Sequence, residues 1–121
     1  MPKRALLLAY AGCSTCKRAI KWLAEHEVAV DIRAIVDAPP TAAELATWLA
    51  QSGLPLRKWL NTSGQSYKAL GGKAAFDAMT EAQIAAHLTR DGKLVKRPLL
   101  IYGNAVLVGF NEAAYAALLG R

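Results

Sequence analysis

The sequence predicts an α/β domain built on a four-stranded mixed sheet, in the order β-α-β, an all-helical insertion, then β-β-α. Three observations carry this prediction: an early strand–helix–strand pattern, a central segment with two helix-capping signals, and a closing hairpin followed by a helix. The chain has 121 residues and is 54% hydrophobic, which suits one compact core.

The first third of the chain has the pattern of a βαβ unit. Residues 5–10 are continuously apolar, as in a strand covered on both faces. Cys16, Ala19 and Leu23 then recur at helical spacing, and residues 28–34 carry the alternation of a second strand. We therefore expect two parallel strands joined by a right-handed crossover.

Helical signals fill the middle of the chain, at about residues 38–91. Residues 41–44 and 80–83 each have the form of a capping box, and a short helix is predicted at 66–70, after a loop. We interpret this segment as an insertion within a single domain spanning residues 1–121, because the sheet needs strands from both ends of the chain.

The last third of the chain returns to strands. Residues 99–102 and 105–108 flank Gly103-Asn104, a two-residue turn signal for an antiparallel hairpin. Asn111 can cap a final helix with Tyr115 facing inward. This order of elements is that of a thioredoxin-like fold.

Both cysteines lie in one motif, Cys13-Ser14-Thr15-Cys16, at the predicted turn from strand to helix. Free amides at a helix N-terminus and the helix dipole stabilise an anion, so a thiol there loses its proton more readily. We expect Cys13, nearer the open end, to be the nucleophile and Cys16 to be the resolving thiol. The backbone amides of residues 14–16, which include Ser14 and Thr15, would hold an anion.

Other interpretations of the pair are half of a zinc site, small buried hydrophobes, or a structural disulfide. Zinc wants four ligands, and His26 and His87 fall in separate predicted helices without ligand-like spacing. A structural disulfide is not expected in a reducing cytosol. No metal, nucleotide or flavin signature is visible, so we expect no bound cofactor.

The formal net charge of +6 favours anionic partners, such as a small oxyanion or an acidic protein face. The basic residues are scattered, so we expect no direct nucleic-acid binding. No apolar run approaches the roughly 20 residues of a membrane helix. We interpret the basic start, residues 1–4, and the apolar run behind it as leading into a strand and not as a secretory signal. The expectation is a cytoplasmic monomer without membrane contact.

A second candidate site element is Lys96-Arg97-Pro98, just before the third strand. In thioredoxin-like folds a cis proline at this position faces the cysteine motif, and Pro98 is placed for that role. Arg97 would then direct its guanidinium at the thiolate or bind an oxyanion in bidentate fashion. A surface ion pair for Arg97 and an ordinary trans Pro98 are the alternatives.

The chain resembles the family that contains glutaredoxin-linked arsenate reductases and Spx-type transcriptional regulators. The resemblance covers nearly the whole chain and is carried by six segments in order: residues 12–17, 38–45, 52–58, 60–67, 96–98 and 108–112. It implies that Cys13 matches the nucleophile that attacks arsenate. It also implies that Arg97 and Arg57 match two of the three arginines that bind the oxyanion.

Three positions depart from the true reductases. Gly109 replaces the third arginine, Ala9 stands where they carry a histidine, and Cys16 stands where they carry a serine. The Cys-x-x-Cys motif and residues 109–112 are more similar to the Spx-like branch, whereas residues 61–64 are more similar to the reductase-like members.

The resemblance implies a thiol-dependent oxidoreductase in which Cys13 attacks an oxidised sulfur or an oxyanion and Cys16 resolves the adduct as an intramolecular disulfide. An external reductant such as glutaredoxin, glutathione or thioredoxin would then restore the thiols. The alternative is an Spx-type regulator that binds the RNA polymerase α subunit and senses oxidation through the same pair. The sequence leaves both open.

Overall fold

A computed structural model describes residues 4–121, which divide into two compact units. The first unit contains residues 4–34 and 97–121, and the second contains residues 35–96. All four strands lie in the first unit, and the second is helical. The predicted fold class, a four-stranded mixed sheet with a helical insertion, is confirmed.

The sheet of the first unit has the strand order β2-β1-β3-β4. Its strands are β1 (Ala5–Ala9), β2 (Val30–Ala34), β3 (Leu99–Tyr102) and β4 (Ala105–Val108). β1 pairs in parallel with β2, and β3 is antiparallel to both of its neighbours. The register places Leu7 opposite Leu100, which in turn faces Leu107.

Two helices of the first unit, α1 (Ser14–Glu25) and α6 (Glu112–Leu119), share one core with the sheet. Alternate residues of β1 enter this core, which places both helices on the same sheet face. Tyr115 of α6 is fully buried and meets the rings of Trp22 and Phe110 edge-on. The core thereby fixes the start of α1 against the end of β1.

The second unit contains α2 (Ala42–Ser52), a 3₁₀ turn (Leu56–Trp59), α3 (Gln65–Ala69), α4 (Gly72–Asp77) and α5 (Glu81–Arg90). Both predicted capping boxes are present: the cap threonine hydroxyl accepts from the backbone amide three residues later, and the side chain of that residue accepts from the threonine amide. The 3₁₀ turn lies where the sequence predicts a loop, and α4 was not predicted. α4 begins at Gly72, directly after Gly71, and buries only Phe76, so it has no apolar periodicity to reveal it.

The helical unit is longer at both ends than the predicted range of about 38–91. Ile35 is fully buried, and the Gly92 backbone packs so closely that an added Cβ would be 2.0 Å from the Ile35 carbonyl oxygen. At the other end, the Lys96 amide donates to the Trp59 carbonyl at 2.7 Å. These contacts tie the flanking residues to the unit. That the chain acts as a single domain stays a prediction.

No helix within the described residues is long and apolar enough to cross a membrane. Residues 1–3, which belong to the basic start considered above, lie outside the described residues. The apolar segment behind them forms β1, as predicted.

Candidate active site

Cys13 is the N-cap residue of α1. Its backbone is extended, with φ −96° and ψ 118°, and its sulfur accepts a hydrogen bond from the Cys16 amide at 3.4 Å. The Cys13 carbonyl accepts from Lys17, which begins the helical ladder. The half-buried sulfur therefore lies among the free amides of the first helical turn, where a negative charge is favoured.

Cys16 lies one turn later, on the buried face of α1. It has no exposed surface, and its sulfur accepts a hydrogen bond from the Tyr10 amide at 3.4 Å. The structure has no disulfide between Cys13 and Cys16. Cys16 belongs to the core and Cys13 packs against it, so the interpretation of Cys16 as a small buried hydrophobe accounts for its position but not for its polar contacts.

The two thiols have opposite acidities. Partial burial raises the pKa of Cys13, but hydrogen bonds from the Cys16 side chain and amide, the positive charge of Arg97 and the Thr15 amide outweigh burial and lower this pKa from the ordinary value of a thiol. Burial raises the pKa of Cys16 to about 12, assisted by the Cys13 sulfur and opposed by the Tyr10 amide and Arg97. Cys13 is therefore the more acidic thiol of the pair, and the Cys16 thiol is a hydrogen-bond donor to its sulfur.

Arg97 and Pro98 lie in the same unit as the cysteines. The Arg97–Pro98 peptide bond is cis, as expected from the fold analogy, and Pro98 is buried. The Arg97 guanidinium carbon lies over the ring of Tyr10, 5.0 Å from its centroid. Because its charge acts on both thiols, Arg97 is part of the same site.

The two residues between the cysteines differ in their surroundings. The Ser14 side chain is exposed, whereas the Thr15 hydroxyl accepts a hydrogen bond from Arg18 at 3.4 Å. Their amides belong to the first turn of α1, the location predicted for the amides that would hold an anion.

Arg57 lies in the second unit, in the 3₁₀ turn. Its guanidinium donates to the carbonyl of Phe76 at 2.8 Å and to that of Met79 at 3.4 Å, with Asp77 at 3.9 Å. Arg57 thus binds the C-terminal end of α4 within its own unit. Its role in oxyanion binding stays a prediction.

The backbone explains one departure from the reductases. Gly109 has φ 86°, a left-handed conformation that strains any other residue, and its amide donates to the Pro98 carbonyl at 2.8 Å. An arginine is therefore disfavoured at this position. Ala9, at the position of the reductase histidine, is buried in the core.

No group of three or more potential metal ligands occurs among residues 4–121. His26 stacks on Trp22 at 3.9 Å, and His87 lies in the second unit near Phe76. Among residues 4–121, neither histidine forms a group of potential metal ligands with the cysteine pair.

Comparison with known proteins identifies the family. The model of the ArsC family matches residues 8–118, and the chain belongs to this family. A crystal structure of an ArsC family related protein from Bacteroides fragilis superimposes with a TM-score of 0.90 at 46% identity, covering 94% of this chain and 96% of that one. A possible arsenate reductase from Streptococcus mutans gives a TM-score of 0.81 at 38% identity, covering 91% and 93%. These neighbours support the predicted thioredoxin-like fold.

Curated relatives extend the comparison to uncharacterized and regulatory proteins. The uncharacterized protein YusI of Bacillus subtilis is 42% identical over 103 residues, which cover 85% of this chain and 87% of YusI. The global transcriptional regulator Spx of Streptococcus agalactiae is 25% identical over 110 residues, covering 91% and 79%. The predicted resemblance to both branches is confirmed.

Sequence reasoning did not assign a role to Tyr10 or Gly12. Tyr10 contributes its amide to Cys16 and its ring to Arg97. The available signal was an aromatic residue at the end of the first strand with a glycine two positions later, just before the nucleophile. That signal alone does not identify the distant arginine that the ring contacts.

Proposed function

We propose that this chain is a cytoplasmic, thiol-dependent oxidoreductase resembling the arsenate reductases, with Cys13 as nucleophile and Cys16 as resolving thiol. The observation that supports it best is the opposite displacement of two thiol pKa values within one motif. A nucleophile needs the lowered pKa, and a resolving thiol must stay protonated until the adduct forms.

In the first step the Cys13 thiolate attacks the substrate. With a disulfide substrate, a bond forms between the Cys13 sulfur and one substrate sulfur, and the other leaves as a thiolate. With an oxyanion such as arsenate, the thiolate displaces an oxygen ligand, which leaves as water after protonation. Arg97, the amides of Ser14 and Thr15 and the surface near Pro98 would hold the anionic group, with Arg57 as the second cation that the resemblance implies.

In the second step Cys16 resolves the adduct. After losing its proton, its sulfur attacks the Cys13 sulfur, the Cys13–Cys16 disulfide forms, and the electron pair of the broken bond leaves with the reduced substrate. Formation of the adduct removes the negative charge of Cys13, which is one cause of the high pKa of Cys16. The attraction of Arg97 for a Cys16 thiolate then acts without that opposition.

An external thiol reductant completes the cycle. Two thiol equivalents, from glutathione or from the dithiol of a glutaredoxin or thioredoxin, reduce the Cys13–Cys16 disulfide and leave as a disulfide. No bound cofactor takes part in this scheme.

The test is turnover of a small disulfide and of arsenate, each coupled to glutathione with glutaredoxin or to thioredoxin. We expect turnover of at least one substrate by the wild type and none by Cys13→Ser. Before any external thiol is added, Cys16→Ser should stop at an adduct on Cys13, visible by mass spectrometry, and Lys17→Ser serves as a matched control on the same helical turn. No turnover with any combination, or full turnover by Cys13→Ser, would reject the proposal.

The second candidate function is a redox-sensing regulator that binds the RNA polymerase α subunit. The similarity to Spx over most of both chains favours it. In this function the Cys13–Cys16 disulfide would alter a binding surface near the start of α1. Saturable binding to purified α subunit that differs between the reduced and oxidised chain would support it, and no binding in either state would reject it.

A further inference from the structure

The ring of Tyr10 contacts both Gly12, which directly precedes the cysteine motif, and the arginine of the site. A Cβ atom added to Gly12 would be 2.9 Å from Tyr10 Cε2 and 3.1 Å from Cζ, so the ring occupies the space beside this glycine. The same ring carries the Arg97 guanidinium, whose central carbon is 5.0 Å from the ring centroid. The position of one ring thus depends on Gly12 and determines the surroundings of Arg97.

The backbone of Tyr10 is tied to both cysteines. Its carbonyl accepts a hydrogen bond from the Cys13 amide at 3.0 Å, and its amide donates to the Cys16 sulfur at 3.4 Å. The ring therefore projects from a backbone whose position relative to the motif is fixed. This makes it a defined platform for Arg97, whose side chain comes from a distant part of the sequence.

A guanidinium held over an aromatic ring is attracted by the negative charge on the face of that ring. Stacking also restricts a long side chain that would otherwise sample many rotamers. The arrangement therefore suits a cation that is held in place near a thiolate before an anionic substrate binds.

We infer that Tyr10 is a positioning residue that holds the Arg97 guanidinium at the Cys13 thiolate, and that Gly12 is needed to leave room for its ring. For catalysis this inference rests on the proposed function, because Tyr10 acts through Arg97 and not on the substrate. Its electrostatic consequence, the reactivity of the Cys13 thiolate, is present without any substrate.

The test follows the rate of Cys13 alkylation by iodoacetamide against pH in the reduced, full-length chain, with the modified peptide identified by mass spectrometry. Arg97→Met should shift the profile to higher pH. Tyr10→Leu should shift it in the same direction, lowering the alkylation rate near neutral pH by about fivefold. Tyr10→Phe, which keeps the ring, should restore the wild-type profile.

Gly12→Ala provides a second route to the same state, because its methyl group would displace the ring while Tyr10 is retained. We expect its profile to match that of Tyr10→Leu, and the double variant Tyr10→Leu/Arg97→Met to match Arg97→Met alone. Tyr102→Leu is the control. Leu99, at the start of β3, pairs with Leu8 near the cysteine motif, and Tyr102 lies at the other end of β3, away from that motif. Circular dichroism verifies that each variant is folded.

Two results would overturn the inference. One is an unshifted profile for Tyr10→Leu and Gly12→Ala when Arg97→Met shifts it, and the other is an unshifted profile for Arg97→Met itself. In an assay with turnover, Tyr10→Leu should raise KM for an anionic substrate more than it lowers kcat. Absence of turnover in the wild type would reject the proposed enzyme and leave the alkylation result intact, so the two failures are distinguishable.

Discussion

The Cys16 amide donates to the Cys13 sulfur across 3.4 Å, so the sulfur that is the nucleophile of the proposed reaction also caps the helix that carries its partner. The Cys16 side chain strengthens the same interaction, because its protonated thiol stabilises the Cys13 thiolate. One residue thereby contributes an amide and a thiol to the acidity of the other.

The two thiols should alkylate in different pH ranges. Cys13 should react with a midpoint below that of an ordinary cysteine thiol, because the combined hydrogen bonds and the charge of Arg97 outweigh its partial burial and favour the thiolate. Cys16 should stay unmodified until the pH approaches about 12, because burial favours its neutral form. Mass spectrometry of the two labelled cysteines after short exposure to iodoacetamide measures both profiles. Equal labelling near neutral pH would contradict this prediction.

Replacing Cys16 should alter the acidity of Cys13. Cys16→Ala removes the thiol donor and keeps the amide donor, so the pKa of Cys13 should rise. Cys16→Ser supplies a hydroxyl donor of similar size and should keep the pKa closer to that of the wild type. Thiolate absorbance in the ultraviolet measures both variants. Identical titrations of the Ala and Ser variants would show that the side-chain hydrogen bond has no effect.

The contributions of Cys13 and Cys16 to the free energy of unfolding should depend on pH in opposite directions. The folded pKa of Cys13 is lowered, so its stabilisation is present above the unfolded pKa of about 8.5 and is lost as the pH falls through the folded value. The folded pKa of Cys16 is raised to about 12, so its stabilisation is present below the unfolded pKa and is lost as the pH rises towards 12.

Urea unfolding of the reduced wild type and of the Cys13→Ala and Cys16→Ala variants tests these signs. Between about pH 7 and pH 10, the stability of the wild type relative to Cys13→Ala should increase. Over the upper part of that range, its stability relative to Cys16→Ala should decrease. Parallel pH dependences for the two comparisons would be inconsistent with the assigned directions.

Tyr115→Phe should destabilise the first unit. The buried Tyr115 hydroxyl donates to the Gly109 carbonyl at 3.0 Å, and its loss leaves a buried acceptor with one partner fewer. The expected cost is about 1–2 kcal/mol in the free energy of unfolding, measured with urea. The phenyl ring keeps the packing against Trp22, so a negligible cost would mean that the hydrogen bond contributes nothing.

Arg57→Met should destabilise the second unit, because it removes the guanidinium that donates to the Phe76 and Met79 carbonyls. These donors are partly exposed, so about 1 kcal/mol is expected in the free energy of unfolding. Lys58→Met, also exposed in the same 3₁₀ turn, is the matched control. A rise in KM for an anionic substrate, beyond that of the control, would report separately on the oxyanion role of Arg57.

Local signals accounted for most of the fold. Apolar runs, the Gly103-Asn104 turn and the threonine capping boxes each depend on neighbouring residues, and the corresponding strands, hairpin and helices form as predicted. α4 escaped prediction because only Phe76 anchors it to a core. Short segments held by one buried side chain depend on tertiary contacts that a local pattern does not contain.

The candidate site was likewise predictable from local sequence only in part. The position of Cys13 at a helix start follows from a glycine and a helical repeat that are adjacent in sequence. The amide that Tyr10 gives to Cys16 and the ring that it gives to Arg97 depend on how β1 ends and on where the chain returns before β3. Such contacts arise from the folded topology, and no spacing rule indicates them.

The capping role of Cys13 couples its chemistry to the helix. A thiolate is a strong acceptor for the amides of the first turn, whereas a sulfur in a covalent bond is a weak one. Each formation of a covalent bond at the Cys13 sulfur would therefore weaken its cap hydrogen bond at the start of α1, and each reduction would restore that bond. If the proposed reaction takes place, the order of the first turn of α1 would therefore follow the oxidation state of Cys13.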